Sequence, residues 1–364
     1  MRICELVFTP AFGGAETLAL ELAPELRQRR HEVVVAALQP IDGSASSGFV
    51  EDVETIEPPA WARGRKLKRL TAARRLITRG HYDIIHAHSF FPNLYARAAA
   101  SLPYGRVPIV ATLHSASDDF SKHVPRALEK MLASQAAAIV AVSPTLRDQY
   151  VEYFPQCRDR TMLIPNGVRK FPLPSREAVA KPREFAVIGR IAQQKDLKTL
   201  IRGFGSFVSK VGDSDLSLHV IGPETDSAYA GELQHVADAV APSVKVIFHG
   251  AVRDPFGRKR IDVVIHAAPK EGHPITILEA AARGIPIVCT RAPTVSGTID
   301  DRCATFSAGD EQGLCRALLD VYTNWPGAID LAAEAWLTVP DITDCATAYE
   351  TLFLDLVRSN GQAG

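Results

Sequence analysis

The stretch DVVIHAAPKEGHPITILEAAARGIPIVCT, residues 262–290, decides the fold. It opens on a short apolar run at 262–267 and passes through a loop containing Gly and Pro. It continues at helical spacing over 275–283 and closes on a second apolar run at 285–290. Neither run alternates apolar with polar residues, the pattern of parallel strands buried on both faces. A strand, a helix and a second strand in this order make a crossover unit of a parallel sheet.

The same unit recurs in both directions. A first series of runs comprises ICELVF (3–8), EVVVAAL (32–38), DIIHAH (83–88), PIVATLH (108–114), AIVAVS (138–143) and MLIP (162–165). A second comprises EFAVIGR (184–190), LSLHVIG (216–222), VKVIFHG (244–250) and the two runs already quoted. Stretches at helical spacing, such as 15–30, 63–79 and 196–210, lie between runs. Between the series, PNGVRKFPLPSREAVAKPR (165–183) carries four prolines, a poor helix or inner strand and a good linker. The expectation is an α/β protein of two Rossmann-like, doubly wound domains, 1–170 and 183–340. Residues 341–364 open as a helix able to pack on either domain.

Bulk properties narrow the function. A chain of 364 residues suits two domains. With 41 Lys plus Arg against 41 Asp plus Glu, net charge gives no support for a nucleic-acid partner. The six cysteines form no CxxC pair and read as free thiols of a reducing compartment. The first apolar run reads as a strand rather than a leader, and no run reaches the ~18 residues of a membrane span. The cytoplasm is the expected location.

Within the opening stretch, Glu271 and Glu279 bracket Gly272, His273, Pro274, Ile275 and Thr276. Pro274 suits the first turn of a helix, where its missing N–H costs nothing. Amides of Gly272, His273, Ile275 and Thr276 then lack intrahelical partners and offer an anion site. Two acids beside it would repel a bare phosphate. They suit a ligand that also carries hydroxyls, since a carboxylate accepts strongly from sugar hydroxyls. A phosphate flanked by two polyols is a nucleotide sugar. The plain alternative is a helix with one acid before it and one solvated Glu.

Three further stretches bear on the choice. GRIAQQK (189–195) follows a strand and offers Arg190 and Lys195, two cations fit for a diphosphate, though surface cations are common. FGGAE (12–16) opens a helix after the first strand, and its paired glycines allow close approach to the backbone or merely make a turn. HAH (86–88) and TLH (112–114) close strands at the edge where open α/β sheets bind ligands.

The set GGAE, HAH, TLH, PNGV, GR-x4-K and E-x7-E, in this order, resembles the family-4 retaining glycosyltransferases of GT-B fold. The resemblance covers nearly the whole chain. It implies two domains facing a cleft, the first holding the acceptor and the second the nucleotide sugar, with 341–364 crossing back to the first. By motif, Arg190 and Lys195 resemble the pair that neutralises the donor diphosphate. Glu271 matches the acid facing the donor sugar, and Glu279 the acid facing the ribose. His114 matches the histidine near the reacting sugar, and Gly13 and Gly14 the loop over the phosphates. His86, His88 and Glu16 are acceptor-side candidates, and Asn166 marks a hinge turn. The chain departs from the family in Ala267 and Ala268 for Pro-Ser, in Asp196 for Gly, and in His273 for an aromatic residue.

The resemblance implies transfer with retained anomeric configuration from a UDP-sugar, ahead of a GDP-sugar, to a small-molecule or lipid-linked acceptor. A donor phosphate oxygen would take the acceptor proton, and neither cofactor nor metal is called for. DSD (213–215) offers the residues of a metal-binding DxD motif but sits before a strand and reads as a polar turn. RGRKLKRLTAARRLITR (63–79) offers peripheral contact with anionic lipid, or else a solvated helix with Leu67, Leu70, Leu76 and Ile77 inward. Two other readings share the fold: a sugar-nucleotide 2-epimerase, which needs no acceptor, and a silent sugar-nucleotide-binding protein.

Overall fold

The computed structural model describes residues 1–9, 13–39, 53–55, 64–102, 107–115, 120, 123–173, 181–240, 244–291, 299 and 302–361. The chain forms two compact units, one made of Met1–Gly167 with Pro340–Gly364, the other of Val168–Val339. Phe12 of the glycine loop and Arg63 of the basic run lie outside the described residues.

The first unit is built on seven parallel strands, β1 (Arg2–Val7), β2 (Glu32–Ala37), β3 (Val53–Thr55), β4 (Ile84–His88), β5 (Ile109–Leu113), β6 (Ala138–Ala141) and β7 (Thr161–Leu163). Their order is β3-β2-β1-β4-β5-β6-β7. The chain winds outward from β1, then re-enters beside it at β4. Right-handed crossovers in opposite directions put helices on both faces, hence the apolar strands. Helices α1 (Gly14–Gln28), α2 (Arg65–Arg79), α3 (Phe90–Ala100), α4 (His123–Leu132) and α5 (Pro144–Tyr153) make the crossovers. On one face Leu6, Ile85 and Ile109 pack with Ala72, Leu76, Ile77 and Ala96 of α2 and α3. Leu76 and Ile77 are buried and Leu70 partly so, but Leu67 is 41% exposed, a correction to the expected inward set. It lies in the first turn of α2, ahead of the buried stripe that starts at Ala72.

The last helix, Ile342–Gly361, belongs to this unit. Gly167, where the chain leaves the unit, lies so close to it that an added Cβ would fall 2.5 Å from the Asp341 carbonyl oxygen and 2.7 Å from Cys345 Cβ. Only glycine fits this crossing. Tyr349 and Phe353 are fully buried and set their rings 4.5 and 5.5 Å from His86.

The second unit carries β8 (Glu184–Ile188), β9 (Ser217–Ile221), β10 (Lys245–Gly250), β11 (Val263–His266), β12 (Ile287–Thr290) and β13 (Ala304–Phe306). All pair in parallel, in the order β10-β9-β8-β11-β12-β13. Helices α6 (Leu197–Val211), α7 (Ser227–Val240), α8 (Pro255–Arg258) and α9 (Ile275–Ala281) lie between strands, and α10 (Glu311–Thr323) and α11 (Trp325–Thr338) follow the last one. Phe185, Phe204 and Phe207 pack ring to ring at 5.2–5.7 Å in its core. Strands β3 and β13 were not expected; each is a three-residue edge strand, VET and ATF, without an apolar run. Pro274 is also corrected: it stands one position before α9, as its N-cap, with ψ of 109°. The following helix is two residues shorter than the periodicity suggests.

Each sheet has one topological switch point, between β1 and β4 and between β8 and β11, and open α/β sheets bind ligands beyond the carboxyl ends of strands there.

Candidate functional site

At the second unit's switch point, β8 is followed by Gly189 and Arg190. Gly189 has φ of +150° and Gly222, after β9, +153°. A Cβ on Gly222 would fall inside the Gly189 carbonyl, so this close approach of two strand ends requires glycine. The turn then presents Lys195 and enters α6 through Asp196, which is left-handed at φ 47° and ψ 43°. That conformation explains why a Gly would suit the position and why Asp, one of the few tolerant side chains, replaces it.

Lys195 Nζ donates to Glu271 Oε1. Across this contact the turn after β8 meets the loop after β11. His266, last residue of β11, sets its Nε2 3.7 Å from the same oxygen. Its ring is 5% exposed, and within 3.5 Å neither nitrogen has a hydrogen-bond partner among the described residues, which leaves Glu271 as its polar neighbour. Burial alone would raise the Glu271 pKa, but His266 and Lys195 outweigh it and hold the carboxyl at about 2. Burial keeps the His273 ring uncharged, with a pKa near 4. Thr276 Oγ1 reaches the Ile188 carbonyl at 3.4 Å, tying the start of α9 to the end of β8. Gly272, His273, Pro274 and Ile275 are buried, and Thr276 and Glu279 half-buried. Arg190 is exposed and makes no ion pair or hydrogen bond among the described residues. The two cations therefore differ: Lys195 is shared with an acid and Arg190 is uncommitted.

Turning to the first unit, Glu5 of β1 stands in register with His86 of β4. Glu5 Oε2 accepts from His88 Nε2 at 2.6 Å and lies 2.8 Å from His86 Nδ1. His88 Nδ1 is 3.0 Å from His114 Nε2, and His86 Nε2 is 2.8 Å from Thr112 Oγ1. Glu5, His86 and His88 are at most 1% exposed, while His114 is half-buried at the end of β5. Burial pushes the Glu5 carboxyl up, but the two imidazoles hold it at about 2. Burial and His86 lower His88 to about 4 despite Glu5. Glu5, His86 and His88 are metal-ligand types, and their ligand atoms lie within 4.8 Å of one another. Ligands ~2.0–2.2 Å from one ion stand over 3 Å apart. The 2.6 and 2.8 Å separations are those of a hydrogen-bonded cluster.

Gly13 precedes α1 in extended conformation, Gly14 opens it, and Glu16 folds its carboxylate back over Gly13. An acid in this place uses the positive end of the helix itself. Asp213 and Asp215 form a turn closed by the Asp215 amide on Asp213 Oδ1 at 3.0 Å. Asn166 is buried beside Gly167. Sequence reasoning missed Glu5 and His266. The signals were an acid inside the apolar run ICELVF, and a third strand closing on histidine.

Comparison with known proteins decides the family. Residues 12–170 match the family described as Glycosyltransferase Family 4, and 182–324 match Glycosyl transferases group 1. The chain belongs to glycosyltransferase family 4. The alpha-monoglucosyldiacylglycerol synthase of Acholeplasma laidlawii is 22% identical over 98% of this chain and 96% of its own length. A D-inositol 3-phosphate glycosyltransferase of Paenarthrobacter aurescens is 26% identical over 61% of this chain, which spans only 59% of that relative's length. Among solved structures, Anabaena HepE with UDP and glucose superposes with a TM-score of 0.76 at 18% identity, covering 96% of this chain and 98% of that one. The fold of this glycosyltransferase is thus that of the GT-B enzymes, with two Rossmann-like units. No helix among its described residues is long and apolar enough to cross a membrane.

Proposed function

We propose that the protein transfers a sugar from a nucleotide-diphosphate sugar, a UDP-sugar ahead of a GDP-sugar, to an acceptor hydroxyl with retention of configuration. The observation that carries this is the Lys195–Glu271–His266 cluster at a switch point, with Arg190, uncommitted among the described residues, in the same turn after β8 as Lys195. Departure of the diphosphate concentrates negative charge, and preorganised cations meet it without reorganisation. Glu271, held ionised, is an acceptor for donor sugar hydroxyls, and Glu279 for the ribose. The second unit is assigned the donor. The first unit is assigned the acceptor, with His86, His88 and Glu16 on that side and His114 at the reacting sugar. The donor's own phosphate oxygen takes the acceptor proton. UDP in the HepE structure supports the nucleotide, and the relatives' names support a lipid or polyol-phosphate acceptor.

A thermal-shift panel of UDP, GDP and their sugars tests the donor. A ligand at 100 times Kd stabilises by about 2.7 kcal/mol. UDP-sugars should shift the transition most, and a response to GDP-sugars alone would overturn the nucleotide assignment. Product analysis with donor alone and with diacylglycerol or inositol phosphate then tests transfer. A new sugar nucleotide formed without acceptor would mean an epimerase instead.

A further inference from the structure

Glu5, His88 and His114 form an unbroken line from the interior of the first sheet to its carboxyl edge, through contacts of 2.6 and 3.0 Å. The line has a polarity. An ionised carboxylate only accepts, so His88 must carry its proton on Nε2. A neutral imidazole has one N–H, so His88 Nδ1 is an acceptor. His114 Nε2 is then the donor in the last contact, and its own proton-accepting nitrogen is Nδ1. Which nitrogen of a histidine is protonated follows from the bond the other one makes.

Surrounding groups support this assignment. On β4, His86 Nδ1 faces the shared Glu5 oxygen, and its Nε2 faces Thr112 of β5. Thr112 Oγ1 meets the Tyr349 hydroxyl of the last helix at 3.3 Å. Burial pushes the Tyr349 phenol well up and the Cys345 thiol to about 12, so neither adds charge at neutral pH. A buried carboxylate is costly without partners, and here two imidazoles supply them.

We propose that Glu5 and His88 are positioning residues for His114: they hold it in the Nε2–H tautomer and make Nδ1 its basic edge. The tautomer follows from this geometry alone; its use in transfer rests on the assignment of His114 to the reacting sugar. The arrangement follows the logic by which a buried acid orients a histidine that itself does the chemistry.

The test is long-range ¹H–¹⁵N imidazole spectroscopy of the full chain at pH 7.5. His88 and His114 should both show the Nε2–H pattern. In Glu5→Gln, His114 should become a tautomer mixture and titrate about one pH unit lower, having lost a negative charge from its network. His88→Asn can place an amide oxygen where Nδ1 stood and should keep His114 in the Nε2–H form, and an Nδ1–H pattern in that variant counts against the proposal. An Nδ1–H pattern for His114 in the wild type overturns the proposal, as does a tautomer and titration unmoved by Glu5→Gln. If the Glu5 variant fails to fold, the wild-type and His88→Asn spectra decide. UDP affinity, measured alongside by calorimetry, should be unchanged in Glu5→Gln. A wild-type protein that binds no UDP would sink the donor reading while leaving the tautomer result standing.

Discussion

Lys195 and Glu271 lie 76 positions apart and meet as an ion pair whose side chains are 23% and 20% exposed. The pair joins the two strand ends of a switch point, so each residue tunes what the other offers a ligand. With Lys195 in place, the Glu271 anion is compensated. Without it, that anion faces an arriving diphosphate.

This coupling predicts a non-additive mutant cycle. Lys195→Ala should weaken UDP binding about ten- to hundredfold, since a hydrogen bond to a charged group contributes about 1.5–3 kcal/mol. Adding Glu271→Gln should recover part of the loss. The interaction energy should fall in the 0.5–3 kcal/mol range of contacting residues. Calorimetric affinities of the four proteins that simply add would show the pair to be irrelevant to the nucleotide.

Arg190 gives a second prediction, because its charge is uncommitted among the described residues. If it meets charge that develops on the leaving diphosphate, Arg190→Ala should lower kcat more than it raises KM. Loss of one preorganised donor costs on the order of 10²–10³ in rate. Turnover should survive EDTA, since Arg190 and Lys195 supply the charge stabilisation. Loss of activity with EDTA and its return with Mg²⁺ or Mn²⁺ would assign that role to a metal.

What could be read ahead of the structure was whatever is local. The doubly buried strands announce themselves because β1, β4 and β11 are runs of mostly apolar residues without regular polar alternation, buried on both faces. Arg190 with Lys195, and Glu271 with Glu279, could be singled out because each pair sits inside one loop–helix segment. Glu5 could not be placed, since its His88 partner is 83 positions away. Nor could Tyr349, which meets Thr112 across 237 positions. Such contacts are set by strand order and by the return of the last helix, neither of which leaves a mark in neighbouring residues. Pro274 shows the opposite limit: residue chemistry identified a helix start there and missed it by one position.

The basic helix α2 supports a third prediction. Arg69 is committed to Gln39 and to the rings of Phe8 and Phe91, and Arg74 to the Ala99 carbonyl. Arg65, Lys66, Lys68 and Arg79 remain exposed, with Leu67 among them. A cationic helix end carrying one exposed Leu should bind anionic vesicles and release them with salt, at about 1 kcal/mol per cation. Replacing Lys66 and Lys68 by Gln should reduce flotation with phosphatidylglycerol vesicles about tenfold or more. Equal flotation with neutral vesicles, or none with either, would leave α2 a solvated helix.

Acid stability is the fourth prediction, and its sign follows from four groups, Glu5, His88 and His273 buried and Glu271 half-buried. His88 and His273 are lowered from 6.5 to about 4, and Glu5 and Glu271 from 4.5 to about 2. Each holds its proton less tightly when folded, so the unfolded chain takes up more protons as pH falls. Stability therefore declines with pH, through the histidine window from 6.5 to 4 and then the carboxylate window from 4.5 to 2. The histidine window separates the units, since His88 belongs to the first and His273 to the second. Calorimetric scans at pH 7.5, 6 and 5 should show both transitions moving to lower temperature. In His273→Gln the second unit's transition should move less over that interval, because its chief histidine penalty is gone, while the first unit's still moves with His88. A transition temperature constant from pH 7.5 to 5, or a second-unit slope unchanged in the variant, would show that these imidazoles are not held neutral by burial.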